Sequence, residues 1–231
     1  ADMKLTILFV ARHYPPHVSG ATRRLSGFVE ELRALGHTVY VAAPELAPEE
    51  DGVEVMHPQP VPSTGPTYSS LLERLRSFAR KWLLWPDADI RWSRRAANEL
   101  DQFAAQADWI ITSSPPESAH AAGLILSRRH RIKWAADFRD PWIEMPLRAE
   151  LRSSGLRRFL ERRWARKVAS RADLLLAVDE RIAGEIDRLS GEARTLVIPH
   201  AANAGARTPK KLFDGHHFNL VHTGSFSLSD P

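Results

Sequence analysis

The chain contains no cysteine in 231 residues. That excludes disulfide frameworks, thiolate zinc sites and thiol nucleophiles, and it fits a reducing compartment. No apolar run approaches the ~18 residues that a membrane span requires. The N-terminal LTILFVA is too short, and its flanks are wrong, for a signal peptide. No GxGxxG follows the opening strand, which argues against a nicotinamide or flavin dehydrogenase. No cluster of His, Asp and Glu has metal-ligand spacing, so neither a metal nor a cofactor is expected. Low-complexity tracts are absent as well. These absences point to a cytoplasmic globular protein, working in solution or at the inner face of the plasma membrane.

What is present is an ordinary apolar share of 43% and a charged share of 26%. The net charge of +4 conceals an asymmetry. Between Leu151 and Arg171 eight basic residues face one acid, Glu161, so this segment carries +7 and the rest of the chain −3. A charge so localised suggests one anionic partner surface; the plainer reading is an Arg-rich solvated helix face.

Short apolar runs alternate with amphipathic helical stretches, the pattern of a parallel sheet built from βαβ units. Strands are expected at 4–11, 38–43, 52–57, 109–113, 133–138, 173–178 and 195–199. Helices are expected at 20–35, where Leu25, Phe28, Val29, Leu32 and Leu35 recur at helical spacing, and at 116–129, 151–171 and 179–189. A further helical region, 69–106, is divided by Pro86. The fold class is therefore α/β, a Rossmann-like parallel sheet with helices on both faces, over residues 1–200. A polar linker follows at 201–217, and FNLVHTG opens a second strand–glycine–helix repeat within 218–231, which reads as the start of another domain.

In such a sheet ligands bind at the carboxyl ends of the strands. HYPPHVSGATRR lies at the first of these ends. Ser19 can cap the helix there, and Gly20 lets a ligand approach the backbone. Arg23 and Arg24 in the first turn oppose the helix macrodipole unless an anion is bound, and a plain capped turn is the alternative. SSPPESAH and ADFRDPW follow two central strands. Asp137, Arg139 and Asp140 would be costly to bury unless paired with each other or with a polar ligand. Trp142 offers a flat face for a sugar ring. The competing readings are an Asp–Arg pair that holds the turn, and a His120 that merely covers the sheet.

These motifs, in this order, resemble the group 1 (family 4) retaining glycosyltransferases of GT-B fold, bacterial polysaccharide-biosynthesis type. PP…SG, LRALGHTVYVAAP, SSPPESAHAAGLILSRR, KWAADFRDPW, LVIPHAAN and LVHTGS carry the resemblance across nearly the whole chain. It departs from the family where Ser19 stands in place of one of two adjacent glycines. It departs again where Ser114 and Arg139 occupy the positions of an acceptor-cleft histidine.

The resemblance implies the acceptor-side half of a two-domain enzyme that moves a sugar from a nucleotide-sugar donor to a glycan or lipid-linked acceptor. Donor diphosphate would meet Ser19, Gly20, Arg23 and, from the donor half, Gly224. Acceptor would meet Ser114, His120, Arg139 and Trp142, while Asp137 or Asp140 would orient the reacting hydroxyl. Two further readings remain at this point: a GT-B-fold sugar-nucleotide epimerase, and a non-catalytic binder of anionic surfaces or nucleic acid. Nucleic acid is not the expected partner. A stripe of Leu71, Leu72, Leu75, Phe78, Ala79 and Trp82, opposite Arg74, Arg76, Arg80 and Lys81, predicts an interfacial helix for an anionic membrane, or else a face packed on the sheet.

Overall fold

A computed structural model describes residues 3–15, 20–43, 55–56, 85–144 and 155–201. The chain divides into two compact units, Ala1–Ala201 and Ala202–Pro231, and the description concerns the first. The expected linker, the strand at 218, and the stripe at 71–82 lie outside the described residues.

Seven strands form one parallel sheet in the order β3-β2-β1-β4-β5-β6-β7. They are β1 (Thr6–Val10), β2 (Thr38–Ala42), β3 (Val55–Met56), β4 (Trp109–Ser114), β5 (Lys133–Phe138), β6 (Leu174–Ala177) and β7 (Thr195–Val197). The helices are α1 (Gly20–Ala34), α2 (Ile90–Glu99), α3 (Asp101–Ala104), α4 (Ala119–His130), α5 (Gly155–Arg171) and α6 (Glu180–Ser190).

Covering helices on both faces explain why the strands read as unbroken apolar runs. In β1, Ile7 and Phe9 enter one core with Leu25 and Val29 of α1. Leu8 and Val10 enter the other, with Ala96 of α2, Leu126 of α4, Val168 of α5 and Ile186 of α6. The spacing that predicts α1 holds, and Gly36 at φ +87° closes it. Asp179 caps α6 by accepting the Ile182 N–H at 2.8 Å, and Gly191 at φ +85° ends it. The predicted helix at 116–129 begins at Ala119 instead, because the two prolines after Ser114 hold the chain out of helix. The region after Pro86 is helical only from Ile90, and Leu100 separates α2 from α3.

Chain order reverses between β1 and β4. The β1 exit leads to α1 on one face and the β4 exit to α4 on the other. The carboxyl edge between them is the switch point of the sheet, where this topology places ligands.

Candidate active site

Register brings Ser113 opposite Asp137 and Ser114 opposite Phe138 at that carboxyl edge. Asp137 is fully buried and its carboxylate is saturated by donors from two elements. Arg24 Nη2 donates to Oδ1 at 2.8 Å, Arg24 Nε lies 3.2 and 3.3 Å from the two oxygens, and Ser113 Oγ donates to Oδ2 at 2.7 Å. The remaining Arg24 nitrogen, Nη1, donates to the Ile198 carbonyl at 2.6 Å. The guanidinium also lies over Phe28, 4.8 Å from the ring centre. One arginine thus ties α1, β5 and the segment after β7 together. The macrodipole penalty of a cation in the first turns of α1 is offset at Arg24 by Asp137, with no bound phosphate required. Arg23, one residue earlier, is exposed.

Arg139 follows β5 and turns back over the β4 exit. Its Nε donates to the Ser114 carbonyl at 3.0 Å and its Nη2 to the Pro115 carbonyl. Burial lowers its pKa below the usual arginine value, and Arg24 adds to that, while Asp137, Asp140 and Glu117 work against it. Ser114 is buried, and its Oγ lies 3.4 Å from the Asp137 carbonyl. Asp140 differs from Asp137: it is half-buried and makes no hydrogen bond or ion pair among the described residues. His200, past β7, lies exposed near the same group, its pKa lowered first by partial burial and then by Arg24 and Arg139.

Two expected acceptor contacts prove to be core residues. The Trp142 indole is 1% exposed and stacks on His120 with centroids 5.7 Å apart. Its Nε1 donates to Glu161 Oε2 at 3.1 Å. No face is left for a sugar ring. His120 is fully buried between Trp134, Phe138 and Trp142, with Nδ1 2.8 Å from Thr112 Oγ1. Burial depresses its pKa from 6.5 to about 3, so the ring is neutral. It covers the sheet. The turn that carries Arg139 and Asp140 is in turn anchored by Glu185 of α6. That carboxylate accepts the Trp142 and Ile143 N–H groups at 3.1 and 2.6 Å. Desolvation raises the Glu185 pKa, and the N–H donors partly reverse the shift.

Sequence reasoning passed over the turn after Pro86. Asp87 accepts the Ser118 N–H at 2.8 Å, and Asp89 pairs with Arg12 at 2.8 Å, fastening the β1 and β4 exits to each other. The signal was there in two acids beside a proline ahead of a helix. His200 was passed over too, and its only signal was a histidine just beyond a strand end. Gly20 begins α1 as expected; Ser19 and Gly224 lie outside the described residues.

The seven-stranded, all-parallel sheet is Rossmann-like and matches one half of a GT-B fold. The family model for the glycosyl transferase 4-like domain matches residues 19–201, and the chain belongs to that family.

Among solved structures the chain is similar to the sucrose-phosphate synthase of Thermosynechococcus elongatus. The TM-score is 0.58 at 12% identity, over 85% of this chain and 48% of that one. It is also similar to the catalytic domain of starch synthase IV from Arabidopsis thaliana, bound to ADP and acarbose. There the TM-score is 0.53 at 13% identity, over 84% of this chain and 52% of that one. These likenesses concern the fold, and the chain spans about half the length of both. No curated protein sequence matches it.

Proposed function

We propose that the chain is the acceptor-side half of a retaining glycosyltransferase, taking a sugar from a nucleotide-sugar donor to a glycan or lipid-linked acceptor. The observation that carries this reading is the convergence of Arg139, Asp140, His200 and the N-terminus of α1 on one carboxyl edge, beside the switch point of the sheet. In the transfer the bond from the sugar C1 to the diphosphate oxygen breaks and a bond from C1 to the acceptor oxygen forms. The acceptor proton passes to the leaving diphosphate. Charge that builds on that diphosphate in the oxocarbenium-like transition state meets the start of α1, with Ser19, Gly20 and Arg23.

Of the two aspartates, Asp140 is the one open to orient an acceptor hydroxyl. Asp137 acts through Arg24 as a positioning residue. Ser114 and Arg139 shape the wall beside it. Residues 1–200 form the acceptor domain in this reading, 201–217 a linker, and 218–231 the first strand and glycine turn (Gly224) of the donor domain.

The same reading places the enzyme on the cytoplasmic face of a membrane, in polysaccharide biosynthesis. The outer face of α5 supports this: Leu156 and Phe159 are exposed among Arg158, Arg162, Arg163 and Arg166.

The test uses the 231-residue chain and the longer enzyme side by side. Calorimetry with a panel of nucleotide-sugars should give millimolar or weaker affinity for the chain alone, and a transfer assay should give no product. Turnover by the pure chain would overturn the two-half reading.

A further inference from the structure

A second concentration of charge lies at the opposite edge of the sheet. α4 and α5 both run back from the carboxyl edge, and their last turns meet beside the start of β5. Two adjoining hollows, of about 210 and 470 Å³, open there and share Leu124 and Arg128. Arg131, Lys133 and Arg171 line the smaller one, and Lys167 the larger.

Among the described residues Lys133 is the one of these cations with an acidic partner, and that partner, Asp173, also lines the smaller hollow. Lys133 pairs with Asp173 at 2.9 Å, and Arg129, on the rim, with Asp101 at 2.6 Å. Arg128, Arg131 and Arg171 have no ion pair among the described residues, and Lys167 reaches only the Trp164 ring, 5.9 Å away.

Basic side chains at helix C-termini ordinarily answer the helix macrodipole. At α5 that work is already done by Arg194, whose Nη2 donates to the Ala169 and Ala172 carbonyls at 2.7 and 3.0 Å. At α4 the closing residue is Arg131 itself, at φ +57°, the left-handed region where glycine or asparagine is the usual occupant. An arginine in that conformation lines the smaller hollow together with Arg128, Lys133 and Arg171, against the one acid Asp173, so the lining keeps an excess of positive charge that an anion would answer.

We propose that this groove binds a phosphate group. Arginine forks match phosphate oxygens two at a time, and the apolar floor of Leu124 and Ile132 suits the carbon skeleton that carries the group. The smaller hollow alone is below the roughly 300–1,000 Å³ that encloses a drug-sized ligand, so the phosphate group is the part of a ligand it takes, with the larger hollow beside it for what the phosphate is attached to. The six residues of β5 separate it by roughly 20 Å from the carboxyl edge, too far to share the donor diphosphate. The site is therefore independent of the proposed transfer reaction. Its phosphate comes either from a soluble phosphomonoester or from an anionic lipid.

Two arms distinguish the sources. Inorganic phosphate and glycerol 3-phosphate are titrated into the chain by calorimetry, with chloride holding ionic strength constant. Vesicles of phosphatidic acid in phosphatidylcholine, and of phosphatidylcholine alone, are pelleted with it. Saturable binding in either arm should weaken about tenfold in Arg128→Gln and in Arg131→Gly. It should stay unchanged in Arg94→Gln, an exposed position on α2 that lines neither hollow. Arg131→Gly relieves the left-handed arginine, so its melting temperature should hold or rise, and lost binding cannot then be attributed to unfolding. Loss confined to the soluble arm identifies a phosphomonoester, and loss confined to the vesicle arm a headgroup. Binding that neither groove substitution weakens, or no binding in either arm, overturns the proposal.

Discussion

At Asp137 the carboxylate receives Arg24 Nε and Nη2 together with Ser113 Oγ, and no part of it reaches solvent. Removing one partner of a buried pair strands the other, a loss of ~3–5 kcal/mol. Asp137→Ala should therefore lose about 3 kcal/mol of stability in urea unfolding, and a loss below ~1 kcal/mol would mean that Arg24 finds another partner. Asp140 has no such partner to strand. Asp140→Asn should stay within ~0.5 kcal/mol of wild type, yet lower turnover of the longer enzyme by roughly tenfold or more. Normal kinetics in Asp140→Asn would remove it from the active site.

His120 gives a pH signature of its own. Its folded pKa of about 3 lies below the unfolded 6.5, so the unfolded chain binds the extra proton between those values. Stability is fully present above pH 6.5 and falls as the pH drops toward 3, by about 1.4 kcal/mol per pH unit from this group. His120→Leu should flatten the curve between pH 6.5 and 4.5, and an unchanged slope would show the ring to be protonated in the fold. The sequence marks the strand-end segments on or beside which all three residues lie, Asp137 at the end of β5's pattern, Asp140 just after it and His120 at the start of α4, because strand ends are legible. It does not mark which side chain turns outward, since alternation stops where a strand stops. The Arg24–Asp137 pair spans 113 positions, and no local pattern announces it.

At the scale of elements the apolar runs determine the sheet. β5 lies at 133–138 as its pattern predicts, and the other strand centres fall inside their predicted ranges, because strands buried on both faces carry little else. Helix starts are less legible, as α4 shows: two prolines and a serine delay a helix that periodicity alone would begin earlier. Close packing between layers is invisible in the sequence. Gly123 of α4 sits where an added Cβ would fall 2.3 Å from Trp134 Nε1 and 2.9 Å from Thr112 Cγ2. That glycine lets α4 approach β4 and β5. Gly27 of α1, also helical, has nothing within 4 Å of the same position. Gly27→Ala should stabilise the fold by ~0.5–1 kcal/mol through helix propensity. Gly123→Ala gains the same propensity but overpacks the layer, with a net loss of ~1–2 kcal/mol. Thermal melts of the two variants decide it: shifts of the same sign would show that α4 can move off the sheet.

On the scale of the whole molecule, charge and exposed apolar surface share one helix. α5 buries Glu161, Trp164, Ala165 and Val168 and turns Phe159, Arg163 and Arg166 to the outside, with Leu156 at their flank. No helix among the described residues is long and apolar enough to cross a membrane. Attachment through α5 would put two apolar side chains into the headgroup zone and bring the arginines to anionic lipid. α5 starts at the carboxyl edge of the sheet, so docking by this face would bring a lipid-linked acceptor to the side that carries Asp140. Each basic residue near an anionic surface contributes about 1 kcal/mol, and the gain shrinks with salt as the Debye length falls to ~8 Å at physiological ionic strength. The chain should therefore co-sediment with vesicles rich in phosphatidylglycerol at low salt and leave them as salt rises. Phe159→Ser should weaken pelleting while leaving stability within ~0.5 kcal/mol, because the ring is exposed. Arg163→Gln should reduce the salt dependence instead. Equal recovery with neutral and anionic vesicles, or binding indifferent to both substitutions, would leave α5 a solvated face and end the membrane reading.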